Sequence, residues 1–132
     1  MLTFGDNRRI FLSRQTVDMR KGAVSLAAQV EHELGHDPYA GDIFVFLGRA
    51  KNRVKILAWD KSGFWLCAKR LEQGRFAVPD GYLGKSTGTT PLSPAEILML
   101  LEGIQVHRAT YHAHYHPPRV SGSDNKQLTI IQ

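Results

Sequence analysis

The sequence predicts an α+β fold: an antiparallel β-meander of four to five strands, with a helix from the N-terminal half packed on one face and a C-terminal helix beyond it. Three observations carry this expectation. Between residues 43 and 79, apolar runs of strand length alternate with short loops bearing charge and glycine. Upstream, Leu26, Ala27, Val30 and Leu34 recur at helical spacing and stop at Gly35, where a C-cap glycine belongs. Downstream, Leu92-Ser93-Pro94-Ala95-Glu96-Ile97 spells a helix start. Ser93 is the N-cap, Pro94 fits the first helical position, Glu96 completes a capping box and Leu92 staples to Ile97.

Taken in order, 1–9 is a short polar arm, and Ile10, Phe11 and Leu12 add a brief edge strand. Asp18-Met19-Arg20-Lys21-Gly22 leads into a helix from about Lys21 to Glu33, with Asp18 read first as its cap and otherwise as an ion-pair partner for Arg20. His36 to Asp42 is dense in turn formers. The predicted strands are Ile43 to Leu47, Val54 to Trp59, Phe64 to Arg70 and Arg75 to Val78, rich in β-branched and aromatic residues and too short for typical helices. A two-residue turn at Lys61-Ser62 would set Trp59 opposite Phe64, Leu57 opposite Leu66, Trp65 beside Ala58 and Cys67 beside Ile56; a bulged turn would shift these pairs by one. In either register both faces carry large apolar groups, so the second face needs the C-terminal helix or another chain.

Residues 80–91, rich in Gly, Ser and Thr, read as a flexible linker. Gly84-Lys85-Ser86 has the look of a P-loop ending, but Pro79 stands where the motif requires its first glycine and no apolar helix follows, so no nucleotide site is assigned. The C-terminal helix carries Ile97, Leu98, Leu100, Leu101 and Ile104. The expected organisation is one α+β domain over 1–106 and a disordered tail over 107–132. In that tail His112, His114 and His116 would share one face if extended; with no nearby Cys, Asp or Glu to complete a site, no metal is assigned.

A chain of 132 residues is long enough to bury a core without metal or disulfide staples. The lone Cys67 has no internal partner and reads as a packed thiol in a reducing compartment. No apolar run reaches transmembrane length and the first residues lack the core of a signal peptide, so a soluble, cytoplasmic protein is expected. The net charge of +5 favours an anionic partner.

The distribution of that charge is the main functional clue. Loops as short as these join antiparallel neighbours, so successive loops lie at opposite ends of the sheet. The loop Gly48 to Arg53 and the turn Leu71 to Gly74 then fall at one end, collecting Arg49, Lys51, Arg53, Lys69, Arg70 and Arg75 against one nearby acid, Glu72. Asp42, Asp60, Lys61 and Asp80 fall at the other. These acids are the only candidates for a metal-dependent phosphoryl-transfer site, and they are more simply turn residues. The sequence therefore predicts no enzyme and no cofactor.

The chain resembles a known family in Val17-Asp18-Met19-Arg20-Lys21-Gly22, in Gly41-Asp42-Ile43-Phe44-Val45-Phe46, in Val54-Lys55-Ile56-Leu57-Ala58-Trp59-Asp60 with Gly63-Phe64-Trp65-Leu66, and in Lys69-Arg70-Leu71-Glu72-Gln73-Gly74-Arg75-Phe76. The family is TnpB, the short accessory protein of the sixty-six family of bacterial insertion sequences, unrelated to the RNA-guided nuclease that shares the name. The resemblance spans about Asn7 to Ile104. It implies a role in DNA transposition beside a separate, larger transposase that carries the catalytic acids, and it transfers no catalytic residue. It also implies that Asp18, Arg20, Lys55, Trp59, Asp60, Lys69, Arg70 and Arg75 belong to the family's shared structure or surface.

Two functions of different class follow. In the first, the basic end grips nucleic-acid phosphates, DNA before RNA, with Tyr82 or an exposed tryptophan stacking on a base. In the second, the protein is an adaptor that docks on the transposase through apolar sheet surface or the C-terminal helix. No membrane partner is expected, and a homo-oligomer is left open.

Overall fold

The computed structural model describes residues 7–103. Its elements are β1 (Ile10–Ser13), α1 (Ala23–His32), β2 (Ile43–Leu47), β3 (Arg53–Asp60), β4 (Gly63–Arg70), β5 (Thr89–Leu92) and α2 (Pro94–Leu101). The five strands form one mixed sheet in the order β4-β3-β2-β1-β5. The fold is α+β, mostly antiparallel, as the periodicity requires.

Strands β2, β3 and β4 form the expected meander. The hairpin takes the register of the two-residue turn, with Trp59 opposite Phe64, Ala58 opposite Trp65, Leu57 opposite Leu66 and Ile56 opposite Cys67. Lys61 adopts a positive φ of 54° at that turn. The tight reversal imposes a conformation that non-glycine residues seldom take.

The strand expected at Arg75 to Val78 does not form; the meander stops at β4. That segment makes one backbone bond to the loop after β2, from the Phe76 N–H to the Lys51 carbonyl at 2.7 Å. The chain then crosses beneath the sheet and buries Phe76 and Tyr82 in the core. Burying two aromatic rings on an open sheet face outweighs adding a four-residue edge strand.

The expected edge strand at 10–12 is instead internal. β1 runs parallel to β2, Ile10 beside Ile43 and Leu12 beside Val45, while its other side pairs with β5 antiparallel. The connection from β1 to β2 contains α1 and is long enough for the crossover that a parallel pair needs. The 80–91 linker expectation also fails at its end, since Thr89 to Leu92 is β5. Pro91 sits exposed on this edge strand, where its missing N–H costs no ladder bond.

The sheet separates two cores. On one face Phe44, Phe46 and Leu57 pack with Leu26, Ala27, Val30 and Leu34 around α1. On the other, Ile43, Val45, Leu47, Val54 and Ile56 pack with Phe76, Tyr82, Ile97 and Leu100, so α2 and the crossing segment together cover the second face. Cys67 is half-buried against this core, which fits a packed thiol.

The helix start expected at Ser93 is present, whereas α1 ends at a C-cap on Glu33, two residues before Gly35. Ser93 accepts from the Glu96 N–H at 3.1 Å while the Glu96 carboxylate accepts from the Ser93 N–H at 2.8 Å, the reciprocal capping box. At α1 the N-cap is Gly22 without a side-chain cap, so Asp18 is not the cap. Its carboxylate takes the Arg20 guanidinium instead, at 2.6 Å for the shortest contact. The histidine-rich tail, including His112, His114 and His116, lies outside the described residues.

Candidate nucleic-acid interface

The six cations singled out by sequence ride on two segments that the backbone laces together. The loop between β2 and β3 closes on itself, the Gly48 N–H donating to the Arg53 carbonyl at 3.0 Å and the Lys51 N–H to the Gly48 carbonyl at 2.9 Å. The segment after β4 is fastened to it by the Leu71 N–H on the Asn52 carbonyl at 2.8 Å, in addition to the Phe76 bond. Arg49, Lys51 and Arg75 consequently line one open cleft of about 350 Å³ with Ala50, Asn52 and Gly74. Arg53 and Arg70 stand directly opposite each other across β3 and β4. Like charges so placed destabilise a strand pair.

Lys69 is the exception. It aligns with Val54, on the face that α2 covers, and its ammonium donates to the Leu101 carbonyl at 2.6 Å. A cation at a helix C-terminus satisfies an orphan carbonyl and opposes the negative end of the helix dipole, so Lys69 has a structural task. Among the described residues the Arg/Lys ion pairs are Arg9 with Asp42 and Arg20 with Asp18, and His32 lies 3.8 Å from Glu31. None of them neutralises Arg49, Lys51, Arg53, Arg70 or Arg75.

Two further cations reach this end, and sequence reasoning missed both. Because β1 is parallel to β2, its C-terminal end carries Arg14 toward the loop after β2, and the Val17 N–H donates to the Leu47 carbonyl at 2.9 Å. β5 starts beside it, so the preceding residues, Lys85 among them, fold back here. The Gly84 N–H donates to the Arg14 carbonyl at 3.0 Å, and the Gln15 side-chain amide to the Lys85 carbonyl at 2.5 Å. The signal was available in the apolar run at 10–12 followed by a helix and a second apolar run, which is a βαβ pattern.

The acidic end is less acidic than expected. Asp42 is buried and held by two Arg9 contacts, Nε at 3.1 Å and Nη2 at 2.8 Å. This pairing raises the Arg9 guanidinium further above its already high pKa. Asp60 accepts from the Trp65 indole at 3.1 Å. Asp80 is displaced to the other end, because the crossing segment returns toward β1 and the neighbouring Gly81 carbonyl accepts from Arg14 at 2.9 Å. Asp18 adds no free negative charge to the basic end. Hydrogen bonds from Arg20 hold its carboxylate well below the usual carboxylate range.

Aromatic rings sort the opposite way. Tyr82 is buried with its hydroxyl donating to the Glu96 carboxylate at 2.5 Å, which removes it as a base-stacking residue. Tyr39, Trp59 and Phe64 cluster at the far end of the β3–β4 hairpin with centroids 5.0 to 5.4 Å apart, and exposed Trp65 is their neighbour in β4. Among the described residues no group of three or more His, Cys, Asp or Glu side chains is arranged to hold a metal ion, and no helix is long and apolar enough to cross a membrane.

Fold and site together define a small α+β protein with one preformed basic end. The chain matches the family described as IS66 Orf2-like protein over residues 8–111 and belongs to it, which associates it with transposition of insertion sequences. It is 38% identical over 104 residues to an uncharacterized protein, y4hO, of Sinorhizobium fredii, covering 79% of this chain and 87% of that one. A second uncharacterized protein of the same organism, y4jC, is 36% identical over 113 residues, covering 86% and 93% respectively. No solved structure matches the chain.

Proposed function

We propose that this protein is a non-catalytic accessory factor of transposition that binds nucleic acid through Arg49, Lys51, Arg53, Arg70 and Arg75. One observation carries the reading: these cations occupy one end of the sheet, three of them around a single cleft, and no described carboxylate pairs with them. Concentrating like charge on rigid loops works against folding, and a polyanion relieves that cost on binding. The family sets the reading in transposition of an insertion sequence; on this proposal a separate transposase carries out the chemistry and the chain assists it on the element's DNA.

The test is a binding titration against duplex DNA, single-stranded DNA and RNA at several salt concentrations. With Lys69 committed to α2, about five cations remain for phosphates, so log affinity should fall against log salt with a slope of roughly −4 to −5. Replacing Arg49, Lys51 and Arg53 together with Ala should flatten that slope by about two to three units and leave the circular dichroism spectrum unchanged. A wild type with no salt-dependent binding to any of the three would overturn the reading and make the basic end a dock for an acidic protein face on the transposase.

A further inference from the structure

Resting on that nucleic-acid reading, we infer that the interface is a row of cations running the whole width of the sheet, from Arg70 to Lys85, with Arg14 held to the Gly81 carbonyl beside it, and that it grips the sugar-phosphate backbone of duplex DNA. The order of strand ends along this side follows from the topology. β4 ends at Arg70, β3 begins at Arg53, β2 ends at the loop bearing Arg49 and Lys51, β1 ends before Arg14, and β5 begins shortly after Lys85. Neighbouring strands lie about 4.8 Å apart, so four spacings make a row of about 19 Å. One strand of B-DNA rises about 3.4 Å per phosphate while winding around the axis, so a straight row of this length meets about three successive phosphates of one strand and leaves its remaining cations for the strand across the groove.

Two features favour a duplex over a flexible single strand. The row is preformed: each of its loops is closed or fastened to a neighbour by backbone bonds between 2.7 and 3.0 Å. A fixed array matches a fixed array of phosphates without an ordering cost to either partner. Single-strand binders, by contrast, lay bases on aromatic platforms beside the cationic groove. Here Phe46, Phe76 and Tyr82, the rings nearest the basic end, are buried, while Tyr39, Trp59, Phe64 and Trp65 lie toward the other end of β3 and β4. Strands of eight residues put that cluster on the order of 20 Å from Arg53. A chain lying on the cations cannot stack there.

The experiment uses the two ends of the row. Lys85 is exposed and contributes only its carbonyl to the fold, so Lys85→Gln removes charge without removing a structural bond; Arg70→Gln does the same at the other end. On a duplex of about 20 base pairs each variant should flatten the salt slope by about one unit and the double variant by about two. The wild type should bind that duplex at least about ten-fold more tightly than either strand alone or an RNA duplex of the same sequence at the same salt. If Arg70→Gln flattens the slope and Lys85→Gln does not, or if single-stranded DNA or RNA binds as well as the duplex, this inference falls while the nucleic-acid reading stands. If no nucleic acid binds, both fall.

Discussion

At the scale of single residues, Gly48 shows how closely the basic loop is tied to the entrance of α1. It is buried at the end of β2, and a Cβ built there would lie 2.7 Å from Met19 Cγ and 3.4 Å from its Sδ. The segment carrying Met19 is held on both sides, by the Asp18–Arg20 pair and by the Lys21 carbonyl, which accepts from the Lys55 ammonium at 2.8 Å. A methyl group at position 48 therefore has to displace Met19, and overpacking of this kind costs about 1–3 kcal/mol. Gly48→Ala should lower the urea midpoint accordingly, with unchanged m-value. Gly84 offers the contrast. Its Cβ would meet Arg14 Nη2 at 2.6 Å, the far end of a flexible side chain that can swing aside at the loss of its bond to the exposed Gly81 carbonyl, so Gly84→Ala should cost less in the same titration. An equal loss in both variants would mean that Met19 is as free to move as a guanidinium tip.

At the scale of elements, α2 is a short helix whose position depends on local chemistry at both ends. The capping box at Ser93 and the Lys69 bond to Leu101 satisfy orphan groups that an eight-residue helix cannot satisfy internally. Ser93→Ala removes one N-cap acceptor and should destabilise the protein by about 0.5–2 kcal/mol in equilibrium unfolding. Glu96 transmits part of this loss, because its carboxylate also receives the Tyr82 hydroxyl that holds the crossing segment under the sheet. The elements differ in how far sequence reveals them. α2 and the β3–β4 register are readable because capping boxes and two-residue turns are set by adjacent residues. The place of β1 is not, since three apolar residues, Ile10 to Leu12, look alike at an edge or in the middle, and only the β5 pairing decides. Arg75 to Val78 has strand composition, but burial of Phe76 on the sheet face prevails over strand pairing. The basic end was legible for Arg49, Lys51, Arg53, Arg70 and Arg75 because short loops force alternation of ends. Arg14 and Lys85 depend on the parallel crossover and stayed hidden with it.

At the scale of the whole molecule, charge and the solvent-accessible rings are separated along the strands: cations at one end, Tyr39, Trp59, Phe64 and Trp65 with a compensated Asp42 at the other. Such a dipolar arrangement lowers the stability of the free protein, since the basic loops are held together by backbone bonds against their own repulsion. The consequence distinguishes a binding surface from a merely solvated one. If the cations served folding, removing one would destabilise the chain. Arg53 faces Arg70 directly, is exposed and has no ion-pair partner among the described residues, so Arg53→Gln should instead raise unfolding free energy by about 0.2–1 kcal/mol at low salt. The gain should shrink as salt is added, because screening already weakens the repulsion in the wild type within a Debye length of about 10 Å at 0.1 M. The same variant should lose affinity for duplex DNA, giving opposite signs for stability and binding, as expected where function is maintained against folding. Thermal unfolding at two ionic strengths, with and without DNA, checks both signs at once. Loss of stability on Arg53→Gln at low salt would show that this end of the sheet is held by its arginines and not strained by them.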